Sequence, residues 1–128
     1  MESLFAHLIL DVESVDKSLL FYHEQLGFSV LGVGELDGHR LATVRAGEME
    51  ILLLQQPEDD RAGIHDRGRG LVMNFNVSGL LEVATRLKRS HVQILRDVED
   101  PPYGNRTFLI SDPDGYAILL SEPVGTIH

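Results

Sequence analysis

The chain carries one pattern twice. His7-Leu8-Ile9-Leu10-Asp11-Val12 and Val72-Met73-Asn74-Phe75-Asn76-Val77 stand at a constant offset, and each is followed by a stretch with helical character. Leu41 to Gln56 and Thr107 to Glu122 form a second matching pair. A duplicated unit of this size constrains the fold strongly. Each half must bury one face of its own sheet, and the two halves must use the same succession of elements. The copies differ in chemistry. The first offers an imidazole and a carboxylate, and the second offers mostly carbon at the matching places.

Local signals give each copy the order βαβββ. Leu4 to Val12 reads as a strand, Ser14 as the cap of a helix with Asp16 in its first turn, and Gly27 as the residue that ends it. Leu19, Leu20, Tyr22, His23 and Leu26 supply the apolar face of that helix. Strands follow over Phe28 to Val33, Arg40 to Arg45 and Met49 to Gln55, with turns at Leu36-Asp37-Gly38 and Ala46-Gly47-Glu48. In the second copy, strands are expected over Gly70 to Val77, Val92 to Leu95, Arg106 to Ser111 and Tyr116 to Ser121. The helix runs from Leu80 to Arg89, with Leu80, Leu81, Ala84 and Leu87 on one face. Asp112-Pro113-Asp114-Gly115 is a turn with a mechanism: proline sets φ, the aspartates bond local backbone, and glycine supplies a positive φ. The expected organisation is one α+β domain over 1–128, with module one at 1–56, a charged, glycine-bearing linker at 57–69 and module two at 70–128.

The 128 residues are enough for a substantial core. No apolar run approaches the length of a membrane span, and no secretory leader is visible at the N-terminus. Cysteine is absent, which removes disulfides and thiolate chemistry. A cytoplasmic protein is the expectation. A formal net charge of −9 argues against nucleic acid as a partner, because phosphate binding needs a basic stripe. The same charge suits a cationic or polar small ligand, although acidic surfaces also serve solubility alone. No nucleophile triad or phosphate-cradling glycine loop is readable.

Several of these residues together carry a family likeness. They are His7, Asp11-Val12, Ser18, Phe21-Tyr22 and Leu26-Gly27-Phe28 in the first copy, and Tyr103-Gly104-Asn105-Arg106 and Asp112-Pro113-Asp114-Gly115-Tyr116 in the second. The chain resembles, over nearly its whole length, the vicinal oxygen chelate superfamily, which includes glyoxalase I, extradiol dioxygenases and the fosfomycin- and bleomycin-resistance proteins. The resemblance implies paired βαβββ modules whose curved mixed sheets enclose a cleft, and a homodimer. Chelating members hold a divalent metal with one residue from the first and one from the last strand of each copy. Carried over, the first-copy positions are His7 and Glu50, with Leu52 on the same face as the alternative to Glu50. The second-copy positions are Val72 and Leu119, which cannot ligate. Glu122 lies three residues past Leu119 and should point to the other face. Two donors are too few for a catalytic site, which typically uses three.

Each candidate has a functional and a plainer reading. His7 is a cleft ligand or base, or a histidine satisfied within the sheet. Glu50 lines a solvated cleft, pairs with Arg40 or Arg106, or stands in water at a strand edge. Asn74 shares a face with Val72 and Asn76 and suits a wet pocket. If Met73, Phe75 and Val77 turn inward instead, the amides stand in solvent and Val72 leaves the metal position. Tyr103, Arg106 and Phe108 approach the cleft mouth, or they are loop packing and surface charge. His65 could supply a third metal ligand. The primary expectation is therefore a metal-free small-molecule binding protein of the bleomycin-resistance type, using His7, Glu50, Asn74, Tyr103, Arg106 and Phe108. The alternative is a lyase, isomerase or dioxygenase-like enzyme using His7 and Glu50, with or without a divalent metal. A structural or regulatory interaction domain is the third class.

Overall fold

The computed structural model describes residues 1–55 and 67–124. Of the expected linker, only 67–69 falls within them; His65 lies outside the described residues. The chain divides into two compact units, Met1–Arg67 and Gly68–His128. No helix among the described residues is long and apolar enough to cross a membrane.

The first unit is a four-stranded mixed sheet with strands β1 (Leu8–Val12), β2 (Ser29–Leu36), β3 (His39–Ala46) and β4 (Met49–Gln55). The strand order is β1-β4-β3-β2, with β1 parallel to β4 and the other pairs antiparallel. Turn chemistry sets these pairings. Asp37 and Gly38 have φ of 52° and 80°, the left-handed pair that a two-residue hairpin of matching twist requires. Gly47 at φ 60° opens the β3–β4 turn.

Helix α1 (Val15–Leu19) is capped by Ser14, whose hydroxyl accepts the Lys17 N–H at 3.2 Å. The expected continuation as a regular helix is corrected by the structure. Leu20–Gln25 is a π-helical segment, closed by the Leu26 N–H donating to the Phe21 carbonyl at 2.9 Å. The wider turn lets the consecutive Phe21 and Tyr22 both reach the core, edge to face at 4.9 Å, with Phe28 6.0 Å from Tyr22. They pack with Val15 in a core that takes Leu10, Val12, Ala42, Val44, Ile51 and Leu53 from the sheet.

The second unit repeats the plan with β5 (Val72–Asn76), α2 (Leu80–Arg89), β6 (Gln93–Glu99), β7 (Gly104–Ser111) and β8 (Ala117–Val124), in the order β5-β8-β7-β6. Helix α2 buries Leu80, Ala84 and Leu87, while Leu81 is exposed. Met73, Phe108, Ile110, Ile118 and Leu120 complete that core. Asp112 organises the β7–β8 turn: its carboxylate accepts the N–H groups of Asp114 at 2.9 Å and Tyr116 at 2.8 Å.

Candidate functional site

Strand pleating gives each sheet two unlike faces. One is apolar and buried on the side of its helix. The other is free of its helix and carries most of the chemistry. On the first sheet this open face presents Ile9 and Asp11 from β1, Glu50, Leu52 and Leu54 from β4, and Arg45, Thr43 and Leu41 from β3. The register sets them in rungs, Ile9 beside Leu52 and Thr43, and Asp11 beside Leu54 and Leu41. His7 is exposed and immediately precedes β1. Continuing the parallel register by one residue sets His7 beside Glu50, whose partner on β3 is Arg45. The ladder itself begins at Leu8–Ile51, so His7 stands one residue outside it and its place beside Glu50 is an extension of the register. The arginines proposed to neutralise Glu50 are engaged elsewhere: Arg40 pairs with Asp16 at 2.8 Å and Arg106 with Asp100 at 2.9 Å. Asp11 is bound by Arg67 at 2.7 Å, with both side chains mostly shielded from solvent.

The register also resolves the choice between Glu50 and Leu52. Leu8–Ile51 in the first copy corresponds to Met73–Ile118 in the second, so Ile9–Leu52 corresponds to Asn74–Leu119. Leu52 is therefore the counterpart of Leu119, and Glu50 is the counterpart of Ala117. The four positions at which the chelating pattern places donors become His7, Leu52, Val72 and Leu119. Only one of them has a lone pair to offer. Among the described residues, no three histidine, cysteine, aspartate or glutamate side chains gather as a metal site needs. Among the described residues, the donors at these four positions do not make up a divalent-ion site.

On the second sheet, Val72, Asn74 and Asn76 share the open face, while Met73 is buried with the core on the α2 side. The two registers weighed from the sequence are not exclusive. Met73 turns inward and Val72 still keeps its place on the open face, because the helix covers only one side of the sheet. Ser121, beside Asn76 in the register, places its hydroxyl 2.7 Å from Asn74 Oδ1 and 3.0 Å from Asn76 Oδ1. Thr107, Leu109 and Leu119 extend the same face.

Two other candidates lie on the opposite face. Phe108 pairs with Leu120, has no solvent exposure and lies under the Lys88 ammonium at 5.9 Å from the ring centroid. It is core, because β7 alternation turns it toward α2. Arg106, two residues before it, faces the same way. Its guanidinium is occupied by Asp100 and, at 3.2 Å, by Glu122. The hydrogen bonds it donates to Asp100 raise its pKa above the ordinary arginine value. Glu122 points to the α2 side, as its spacing from Leu119 requires, and caps that helix by accepting the Gly79 and Leu80 N–H groups at 2.6 and 3.1 Å. The Leu80 and Gly79 N–H groups, then Arg106, hold its pKa below the ordinary glutamate value. Tyr103 is exposed just before β7.

Sequence reasoning missed Arg45, Ser121 and the Asp11–Arg67 pair. Pairing across strands is the only signal for the first two, and no local pattern announces it. Two shallow recesses, about 440 Å³ beside Asn76 and Glu122 and about 320 Å³ beside Asp16 and His23, include neither His7 nor Glu50.

The architecture matches solved structures along the whole chain. The glyoxalase family protein from Bacillus cereus is 20% identical with a TM-score of 0.77, covering 97% of each chain. TioX from Micromonospora sp. ML1 is 19% identical with a TM-score of 0.70, covering 98% of this chain and 100% of its own. TnmS3, an antibiotic binding protein from Streptomyces sp. CB03234, is 22% identical with a TM-score of 0.68, covering 96% and 99%. At such identities the likeness is one of fold. The family model described as Glyoxalase/Bleomycin resistance protein/Dioxygenase superfamily matches residues 4–120. The duplicated βαβββ sheets and this match make the chain a member of the glyoxalase/bleomycin resistance protein/dioxygenase superfamily.

Proposed function

We propose that this protein binds an organic small molecule against the open faces of its sheets without a catalytic metal. The observation that carries the reading is the donor count: Leu52, Val72 and Leu119 occupy three of the four positions where chelating members place ligands. What remains on those faces suits recognition. Aliphatic side chains alternate with amides and hydroxyls, in the mixture of apolar surface and few fixed polar groups that ligand sites use. His7, Glu50, Asn74 and Tyr103 are the contacts we assign. The antibiotic-binding description of TnmS3, which shares the fold, supports the same class of activity.

The test is a thermal-shift screen of uncharged and cationic aromatic compounds. A ligand held at a hundred times its Kd stabilises the native state by about 2.7 kcal/mol, which moves Tm by several degrees. A second reading has its own support. The β1–β4 register, extended by one residue past Leu8, sets an imidazole next to a carboxylate, the pair of groups that proton transfer uses, so a metal-free lyase or isomerase is the alternative. Turnover of a bound compound that is lost in both His7→Ala and Glu50→Gln would favour it. We also propose a cytoplasmic homodimer. The absence of cysteine and the exposed Leu31, Val33 and Leu36 on edge strand β2 support it, and sedimentation velocity tests the assembly.

A further inference from the structure

We propose that the open face of the second sheet recognises an uncharged ligand edge that pairs a hydrogen-bond donor with an acceptor, as the cis-amide of a lactam does. This rests on the small-molecule reading above and names the ligand chemistry.

The argument begins with one proton. The Ser121 hydroxyl lies within hydrogen-bond distance of both Asn74 and Asn76, at 2.7 and 3.0 Å. A hydroxyl donates once, so it serves one amide oxygen; the other asparagine must turn its NH2 toward the Ser121 oxygen. Whichever asparagine takes which role, the outward result is the same. One amide presents its NH2 to the open face, and its neighbour presents its carbonyl oxygen. Both asparagines are exposed, whereas Ser121 is 2% exposed and fixed in the sheet. Two amides anchored through one buried hydroxyl lose less rotamer freedom on binding than free ones would.

The surroundings select for neutrality. On β5, β8 and β7, the open face carries Val72, Leu119 and Leu109 beside the amides, with no ionisable side chain among the described residues. On edge strand β6, Arg96 and Glu99 pair with each other at 3.2 Å. The first sheet differs, with Asp11, Glu50 and Arg45 on its open face. The two copies have diverged into a charged face and a neutral, amide-bearing one.

The test uses three bicyclic probes of similar shape: isocarbostyril, its N-methyl derivative, which lacks the donor, and the N-methylisoquinolinium cation. Binding is followed through the side-chain NH2 signals of Asn74 and Asn76 in 15N-correlated NMR spectra. Isocarbostyril should shift both signals and bind about tenfold more tightly than its N-methyl derivative, the effect of one hydrogen bond left unmade. Ser121→Ala, checked for intact signal dispersion, should reduce that preference to about twofold or less. Asn76→Leu serves as a second variant should Ser121→Ala fail to fold, with the same loss expected. Equal binding of all three probes would overturn the donor–acceptor site and leave small-molecule binding standing, as would a preference for the cation. No shift by any probe up to its solubility limit would overturn both.

Discussion

Removing the Phe108 ring separates core from binding surface most sharply. Sequence reasoning left Phe108 between a cleft mouth and loop packing, whereas the structure buries it completely beside Leu120, with the Lys88 ammonium 5.9 Å from its ring centroid. Phe108→Ala leaves a cavity that α2 cannot close without moving Leu80, Ala84 and Leu87. Such truncations cost about 3–5 kcal/mol. The lost ammonium–ring contact adds about 0.5 kcal/mol. A domain of this kind holds only about 5–15 kcal/mol in total, so the variant should be visibly less stable. With a urea dependence of about 1.5 kcal/mol per molar, a loss of about 3 kcal/mol lowers the unfolding midpoint by about 2 M. Phe108→Leu keeps most of the volume and should cost about 1.5 kcal/mol or less. Leu119→Ala, half-buried on the open face, should cost about 1 kcal/mol. Equilibrium urea unfolding followed by circular dichroism gives all three values. The reasoning is refuted if Phe108→Ala keeps its midpoint within about 0.3 M of the parent while ligand binding disappears.

Three further perturbations probe other parts of the account. Gly68→Ala should be severely destabilising, because its Cβ would lie 2.7 Å from the Gly115 oxygen and Tyr116 Cα at a φ of +79°; Gly70→Ala, at φ +80° with open space, should cost about 1 kcal/mol, and thermal melts compare them. The Asp11–Arg67 pair should show a coupling of about 1 kcal/mol in a double-mutant cycle of Asp11→Asn and Arg67→Met, read by urea unfolding; full additivity would show that the bond is idle. Glu122 has a depressed folded pKa, so its stabilising effect is complete above the ordinary glutamate range and is lost as pH falls through the folded value. The Tm gap between the parent and Glu122→Gln should therefore be widest near pH 7 and narrow as pH falls below the ordinary glutamate range, and a gap independent of pH would contradict the cap.

What the sequence made legible was local chemistry. Ser14, Gly47 and the Asp112 turn each act through residues a few places away, and each does what its type and position predict. The bounds of α2 were readable because its apolar period is clean. The misses share a cause of the opposite kind. The π-helical segment at Leu20–Gln25 exists because Phe21 and Tyr22 both find room in the core, which no period announces. Glu50 and Leu52 both stood as counterparts of Leu119 because hairpin length hides the register, and strand pairing gives the match to Leu52. Arg106 was readable as an anion receptor or as plain surface charge, and β7 alternation turns it toward Asp100 and Glu122. Strand β2 is exposed along its whole length, so its burial offers no alternation to read. Faces of sheets are decided by partners distant in sequence, and the site depends on faces.

Metal content is the most direct test of the central claim that side chains without lone pairs occupy three of the four chelating positions. Protein purified without chelators from cells supplied with zinc, nickel, manganese and iron is analysed by inductively coupled plasma mass spectrometry. The account predicts well under about 0.1 transition-metal ion per chain, unchanged by His7→Ala, because a lone imidazole falls short of the three protein ligands such sites use. About one ion per chain, lost in His7→Ala, would contradict it.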